Sequence, residues 1–271
     1  MTRNRISIWL LSLVLLCGAG FTPDGVKMVR TIGMQAQSIS CDPLGNIYVI
    51  KNHELFKYDN EGNLLYTFNN YLSGNIYSVD ASDPFKILVF YKDFSQVDIL
   101  DNTLSYTADP ILLQVYNLEQ ATLVCRSYNN GIWVYDSQIF ELIRINEQME
   151  VSDRTGNISQ VTGTDVDPNF LVEADNMLYL NDPESGIMVF DKYGTYFRTY
   201  PFTGLNSFQV FDGKIMYAED NMLKIYDIQK MLESSIGQPI EEAADIKLIA
   251  EPSPRRLLVY NKTHFYIFIE N

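Results

Sequence analysis

The sequence predicts an all-β protein, a six-bladed β-propeller with four-stranded antiparallel blades. Three observations favour this fold class. Short apolar strands recur with a period of about forty residues, polar turns separate the strands, and no helical hydrophobic period is sustained. A β-sandwich also contains many short strands, but it has no reason to repeat them at a fixed period.

The second strand of each repeat is its clearest element, a short run rich in Val, Ile, Leu and Tyr. These residue types suit a pleated, half-buried surface. The starts of successive copies lie between 37 and 46 residues apart. The six copies are NIYVI (46–50), KILVF (86–90), GIWVY (131–135), MLYLN (177–181), KIMYA (214–218) and RLLVY (256–260).

The first and third strands flank each of these runs. The predicted first strands are SISCD, YSVD, TLVC, FLVE, FQVFD and KLIAE. The predicted third strands are LFKYD, VDILD, ELIRIN, IMVFD, LKIYD and FYIFI.

The segment QKMLESS (229–235) is the nearest candidate for a helix, a turn or two between blades. The long inter-blade loops 105–120, 152–168 and 229–245 are the predicted binding segments, because loops on a rigid scaffold usually carry function.

The two ends of the chain complement each other. The sixth repeat stops at Asn271 one strand short, whereas residues 26–32 resemble the fourth strand of the other repeats. An open ring would leave two sheet edges with unpaired N–H and C=O groups. The sequence therefore predicts that 26–32 pairs with 264–270 and closes the ring.

The N-terminus has the anatomy of a secretory signal peptide. A basic head is followed by the apolar run ISIWLLSLVLL (6–16) and the small residues CGAG (17–20). A run of this length is too short to span a bilayer, which takes about twenty apolar residues. The prediction is a signal peptide over 1–20, a single propeller domain over 21–271, and an exported protein in the periplasm or at the outer membrane.

Cys17 leaves lipidation open as an alternative to simple cleavage. The residue before it is Leu16, where lipoprotein processing favours a small side chain. The other two cysteines, Cys41 and Cys125, fall in apolar strand contexts and are predicted to be buried free thiols. A disulfide, or use in metal binding or catalysis, remains the alternative, although cysteines in blades that are not neighbours cannot approach within the roughly 7 Å that a disulfide needs.

The longest coherent repeat resembles the NHL-type repeat of six-bladed propellers. It reads DPLGNIYVIKNHELFKYDNEGNLLYTF (42–68), with Asp-x-x-Gly-Asn followed by an apolar residue, Tyr and Val, and then a second Asp-x-x-Gly. MLYLNDPESGIMVFDKYG (177–194) has the same order of apolar strands and polar turns. The resemblance implies an architecture and carries no activity of its own. Similar propellers include protein-interaction scaffolds, sugar-binding proteins and metal-dependent lactonases.

Acidic side chains close several first strands and are candidates for a carboxylate ring at one channel mouth. Asp and Asn commonly start turns by accepting backbone hydrogen bonds, and this is the predicted role. A structural or catalytic divalent cation is the alternative. The series consists of Asp42, Asp80, Glu173, Asp212 and Glu251, and Arg126 interrupts it in the third repeat.

The remaining candidate ligands are few. The two histidines, His53 and His264, fall at equivalent turns of the first and sixth repeats and are predicted to be surface turn residues, with a metal pair as the alternative. DVDPN (165–169) begins like a calcium loop but lacks the Gly and Glu that such a loop requires, so it is predicted to be an ordinary loop.

These observations predict a non-catalytic protein with no catalytic, cofactor-binding or metal-ligating residue. A net charge of −14 argues against nucleic-acid partners and anionic membrane surfaces. The predicted function is a protein-interaction scaffold or accessory subunit of a bacterial cell-envelope complex, such as an outer-membrane assembly or secretion complex, without a transmembrane span of its own. A metal-dependent, lactonase-like hydrolase and a propeller that binds glycans or small ligands are the alternatives.

Overall fold

The structure is a computed structural model that describes residues 26–237, 243–250, 255–261 and 263–270. These residues form six four-stranded antiparallel sheets arranged as the blades of a propeller, which confirms the predicted fold class. The predicted signal peptide (1–20) lies outside the described residues. No helix within the described part of the chain is long and apolar enough to cross a membrane.

Blades 1 to 5 each contain four consecutive strands, which follow one another from the channel outwards. The strands of blades 1 and 2 are β2 (Ser38–Cys41), β3 (Ile47–Lys51), β4 (Glu54–Tyr58), β5 (Leu64–Asn69), β6 (Ser78–Asp80), β7 (Ile87–Tyr91), β8 (Gln96–Leu100) and β9 (Ile111–Leu112). The strands of blades 3 and 4 are β10 (Ala121–Arg126), β11 (Ile132–Asp136), β12 (Glu141–Ile145), β13 (Val151–Arg154), β14 (Phe170–Ala174), β15 (Met177–Asp182), β16 (Gly186–Asp191) and β17 (Tyr196–Tyr200).

Blade 5 and blade 6 complete the ring. Blade 5 consists of β18 (Gln209–Phe211), β19 (Lys214–Glu219), β20 (Met222–Asp227) and β21 (Leu232–Gly237). Blade 6 consists of β22 (Asp245–Ala250), β23 (Arg256–Tyr260), β24 (His264–Glu270) and β1 (Val26–Gly33). The described helices are short and lie in the connections: the 3-10 helices Tyr71–Ser73, Lys92–Phe94 and Leu113–Tyr116, and α1 (Ile158–Thr162).

The core lies between blades rather than within them. Six clusters of buried apolar side chains each join two neighbouring blades, and each second strand contributes to the clusters on both of its sides. Strands buried on both faces read as nearly continuous apolar runs, which explains why the second strands were readable from sequence. Each begins within one residue of its predicted start.

The predicted ring closure is confirmed. Strand β1 is the outermost strand of blade 6 and pairs with β24, with Val26 opposite Glu270 and Gly33 opposite His264. The turn of the second Asp-x-x-Gly motif, at 59–62, also touches β1. Gly62 has a φ of +80°, and a Cβ there would lie 2.7 Å from the Cδ1 of Ile32. Glycine at this position therefore allows blade 1 to pack closely against the closing strand.

The prediction of a helical turn at 229–235 is wrong. Residues Leu232–Gly237 form β21, which pairs with all six residues of β20. Without this partner β20 would be the unpaired outer edge of blade 5, and pairing outweighs the local helical preference of the segment. The proposed loop 229–245 is therefore mostly a blade strand where it is described. By contrast, DVDPN (165–169) is a loop, as predicted.

An Asp or Asn caps the turn after the third strand in blades 1 to 5. In each case the side chain accepts hydrogen bonds from backbone N–H groups two to four residues further along the chain. This geometry is the physical basis of the repeated Asp at the end of the third strand. The five residues are Asp59, Asp101, Asn146, Asp191 and Asp227.

We expect these turns to make the stability of the protein sensitive to acid. Burial raises the pKa of Asp59, but hydrogen bonds from Asn63 and its neighbours outweigh burial and lower it overall. A hydrogen bond from the Ser105 backbone is the main cause of the lowered pKa of Asp101. The unfolded-state pKa of Asp is about 3.9. Stability from both groups is therefore present above that value and is lost as the pH falls through the lower folded-state pKa.

We expect a constant melting temperature from about pH 7 to pH 5 and a decline below about pH 4, measured by thermal unfolding. The double variant Asp59→Asn, Asp101→Asn keeps an acceptor oxygen at each turn but does not titrate. It should show a smaller decline than the parent protein. Equal declines in the two proteins would contradict the assignment of acid sensitivity to these turns.

Candidate functional site

The first strands of the blades surround a central channel with a volume of about 760 Å³. Its wall is mixed: apolar side chains such as Val79 and Val172 alternate with polar ones such as Ser40 and Gln209. This composition could accommodate a small ligand. Its charged side chains decide what chemistry the channel offers.

Asp42 has the predicted turn role. Its carboxylate accepts hydrogen bonds of 2.9 Å from the backbone N–H groups of Leu44 and Asn46 and from the hydroxyl of Tyr48. Burial, together with the Asp42 charge, raises the pKa of Tyr48, so this hydroxyl stays a donor at neutral pH. The Asp42 carboxylate is thus committed to its own blade.

Glu173 forms bonds between blades that the sequence did not predict. From blade 4, its carboxylate accepts hydrogen bonds from the Ser127 hydroxyl at 2.8 Å, the Tyr128 backbone N–H at 2.9 Å and the Trp133 indole N–H at 2.9 Å. All three donors belong to blade 3. Trp133 is completely buried, so its indole N–H needs an acceptor inside the protein.

Asp80 holds the same segment of blade 3 from the other side. Its carboxylate, in blade 2, accepts a 2.6 Å hydrogen bond from the backbone N–H of Arg126 and a 2.8 Å bond from Ser82. The buried Arg144 extends the network, donating to the Ser127 hydroxyl at 2.8 Å. These carboxylates therefore lock blade 3 between its neighbours. No local sequence signal identifies such partners, because they lie 40 to 46 residues away.

The other two acidic residues of the candidate ring are Asp212 and Glu251. Asp212 is largely exposed and pairs with Lys214 at 3.4 Å, and Glu251 lies outside the described residues. In the part of the chain that the structure describes, no group of three or more His, Cys, Asp or Glu residues could hold a metal ion.

His53 lies in the predicted turn, whereas His264 is the first residue of a strand, and both are half-buried. His53 is in the turn between β3 and β4, and its ring centroid lies 4.2 Å from that of Tyr71. His264 opens β24, with its Nδ1 2.9 Å from the Thr263 hydroxyl. Both rings therefore contact neighbouring side chains near the ends of strands.

Cys41 and Cys125 are free thiols in blades 1 and 3. Cys125 is buried as predicted, whereas Cys41 is only half-buried and lines the channel. Burial raises the pKa of the Cys41 thiol to about 12 and that of Cys125 well above its ordinary value. Neither thiol is therefore activated as a nucleophile at neutral pH.

A second candidate site lies outside the channel. In an antiparallel blade, the turn between strands two and three and the connector to the next blade lie at the same end. We call this end of the ring the connector face and the opposite end the turn face. Across blades 1 to 3 the connector face carries a continuous surface, the connector arc, formed by residues 52–53, 70–77, 92–95, 113–120, 137–140 and 155–163.

Contacts between successive segments hold the connector arc together. Gly74 lies against the ring of Phe94, since a Cβ there would be 3.1 Å from it. Backbone hydrogen bonds then run from Leu113 to Ser95, from Ser137 to Gln120 and from Ile158 to Phe140. The arc is therefore one surface made from loops of three blades.

Large apolar side chains point outward along the connector arc. Leu72 is 91% exposed, Val115 72%, Tyr71 68%, Phe94 50% and Val161 46%. Ile139 and Phe140 are also exposed. Contiguous exposed apolar groups on a folded protein usually mark a binding surface.

Side-chain caps fix two of these positions. Asn70 caps the 3-10 helix that carries Leu72, accepting from the backbone N–H groups of Leu72 and Ser73. Asn157 caps α1, which carries Val161, through a 3.0 Å hydrogen bond from the Gln160 N–H. Leu72 and Val161 are thus presented on short capped turns, which lowers the entropy cost of binding.

The connector arc is also poor in charge. Its 35 residues include three charged ones, Lys92, Asp93 and Glu119. Corresponding turns of blades 4 and 5 are polar, with Pro-Glu-Ser at 183–185 and Asp-Asn at 220–221. Depletion of charge together with exposed aromatic groups is typical of the centre of a protein–protein interface.

No protein-family model matches the sequence, and no curated protein matches it either. The resemblance to NHL-type repeats therefore stays a prediction. Solved structures match over most of the chain. The WD40 domain of Neurospora crassa Pan2 superposes with a TM-score of 0.61 at 10% identity, covering 90% of this chain and 95% of that one.

Two further structures show the functional range of similar folds. Streptogramin B lyase superposes with a TM-score of 0.59 at 11% identity, covering 91% of this chain and 97% of the lyase. BBS1N, solved in complex with ARL6DN, superposes with a TM-score of 0.57 at 12% identity, covering 87% of this chain and 78% of that one. At such identities the likeness shows the propeller fold alone. The fold is compatible with a scaffold and with an enzyme.

Proposed function

We propose that the protein is a non-catalytic, exported scaffold that docks a partner protein of a bacterial cell-envelope complex through the connector arc. The observation that carries the proposal is the arc itself: exposed apolar side chains, two of them on capped turns, carried by loops that are joined across three blades and hold few charges. Propellers commonly mediate protein interactions, and BBS1N is a structural neighbour solved with a protein partner.

Placement in the periplasm or at the outer membrane rests on the predicted signal peptide. An accessory subunit of an assembly or secretion complex needs a rigid body with a specific surface and no reaction centre. The closed ring supplies such a body, and the inter-blade bonds of Asp80 and Glu173 hold its blades in register.

The hydrolase alternative has its strongest basis in the channel. The channel carboxylates of Asp42, Asp80 and Glu173 already accept hydrogen bonds from two or more donors each. This arrangement supports a structural role for them. A rise in melting temperature on adding calcium or zinc, accompanied by hydrolysis of lactone substrates, would contradict the non-catalytic part of the proposal.

The docking part is tested by a charge placed in the arc. We expect Leu72→Asp and Val161→Asp to abolish recovery of a partner when the protein is purified from detergent-solubilised envelopes, because a carboxylate in an apolar contact must be desolvated. The melting temperature should stay unchanged, since both side chains are exposed. Leu44→Asp is the matched control, because Leu44 is 60% exposed on the turn face.

Partner recovery that survives both arc substitutions, or that is lost equally with Leu44→Asp, would contradict docking at the connector arc. Recovery of the monomer alone from wild-type envelopes would contradict the scaffold function as a whole.

A further inference from the structure

We infer that the partner docked on the connector arc is a basic protein with an apolar contact patch, and that it is not a second copy of this chain. The inference rests on the proposed function and adds the charge of the partner to it. It is carried by a mismatch between the charge of the arc and the charge of the whole chain.

The arc is nearly neutral, whereas the chain carries a net charge of −14. Within the arc, Lys92 offsets Asp93 and leaves Glu119 as the surplus charge. The Lys92 ammonium lies 5.0 Å from the centroid of the Tyr77 ring, so an aromatic face of the chain itself already engages it. An apolar partner surface can therefore cover the arc without burying many unpaired charges.

The margin of the arc is mostly acidic. Glu54 follows the 52–53 turn and Asp165 lies two residues after the 155–163 segment, while Lys51 precedes the 52–53 turn. Arg154, which precedes the 155–163 segment, is paired with Glu141 at 3.2 Å. Together with Glu119, the carboxylates of Glu54 and Asp165 therefore give the border an excess of acidic side chains. Lys and Arg side chains around a partner's apolar patch complement such a border.

The same charges disfavour self-association. In a dimer, two chains with a net charge of −14 each would meet face to face. Repulsion between like charges disfavours such an association. A basic partner is instead attracted from a distance by the field of the whole chain, which speeds its association. Since salt screens exposed charges over about 10 Å at 0.1 M, the two cases respond to salt in opposite directions.

The experiment identifies the partner by contact and then measures its charge dependence. A photo-crosslinking residue is placed at position 72, 161 or, as the turn-face control, 44 of the full chain in the producing cells. Adducts are identified by mass spectrometry. The cross-linked protein is then purified and its association rate with the wild-type chain is measured at low and at high NaCl concentration, about 50 mM and about 300 mM, which bracket the ionic strength at which the screening length is about 10 Å.

We expect adducts at 72 and 161 but not at 44, a cross-linked protein with net positive charge, and an association rate that falls about tenfold or more at the higher salt concentration. The double variant Glu119→Lys, Asp165→Lys should slow association several-fold with little change in dissociation rate. Glu150→Lys, a single charge reversal on an exposed residue of the turn face, should have a smaller effect.

The outcomes separate this inference from the proposed function. An acidic or neutral protein cross-linked at the arc, with salt-independent association, overturns the inference and leaves the scaffold function standing. A second copy of the chain cross-linked at the arc, with sedimentation showing a dimer favoured by salt, also overturns it. Absence of arc-specific adducts overturns both.

Discussion

Replacing Glu173 with alanine is expected to lower the free energy of unfolding by about 2–4 kcal/mol, because each buried donor left without an acceptor costs about 1–3 kcal/mol. The substitution leaves the indole N–H of Trp133, the backbone N–H of Tyr128 and the hydroxyl of Ser127 without their acceptor. Trp133 is completely buried, so its indole N–H regains a partner only if water enters from the channel into the space that the carboxylate leaves.

Chemical denaturation monitored by tryptophan fluorescence measures the effect directly. Glu173→Gln keeps one acceptor oxygen and should lose less, about 1–3 kcal/mol. Glu184→Ala is the control in the same blade, since Glu184 is exposed, and should change stability by less than about 0.5 kcal/mol. A loss in Glu173→Ala no larger than that of the control would show that the inter-blade bonds contribute nothing.

Removing β1 is expected to abolish cooperative folding. A chain that begins at residue 34 lacks the strand that pairs with β24 from Gly33 to Val26. Its outer edge would expose unpaired backbone groups, and the apolar cluster between blades 6 and 1 would lose Ile32. We expect aggregation and no single unfolding transition in calorimetry, whereas a chain beginning at residue 21 should unfold cooperatively.

A rescue experiment distinguishes the loss of strand pairing from the loss of the residues themselves. Val26 lies opposite Glu270, so a short turn can join the C-terminus to a relocated copy of VKMVRTIG. The chain 34–271 extended in this way should regain cooperative unfolding, while the same extension with its residues scrambled should not. Cooperative unfolding of the unextended chain 34–271 would contradict closure as a requirement for the fold.

The parts of the fold that could be predicted are those determined by residues close together in the sequence. Second strands such as Ile87–Tyr91 are buried on both faces, so their apolar runs stand out. The Asp at the end of most third strands marks a turn, because its side chain satisfies nearby N–H groups. Ring closure was predictable because one repeat lacked a strand and the other end supplied it.

The rest depends on distant residues. QKMLESS (229–235) becomes a strand only because β20 needs a partner, which local preference does not reveal. Glu173 is a strand-end acid like Asp42 in sequence, yet its donors lie in the neighbouring blade. The connector arc was only partly predicted, through the loops 105–120 and 152–168, because the exposure of Leu72 or Phe94 depends on how three blades meet.

The position of the two ends of the described propeller has a practical consequence. Val26 and Glu270 face each other at the end of blade 6 that lies on the turn face, away from the arc. Tethering the protein to a bead or sensor chip through a linker attached just before Val26 or just after Glu270 would leave Leu72 and Val161 directed toward the solution. Immobilised protein should therefore capture its partner as well as free protein does, and an end-fused fluorescent tag should not shield the contact.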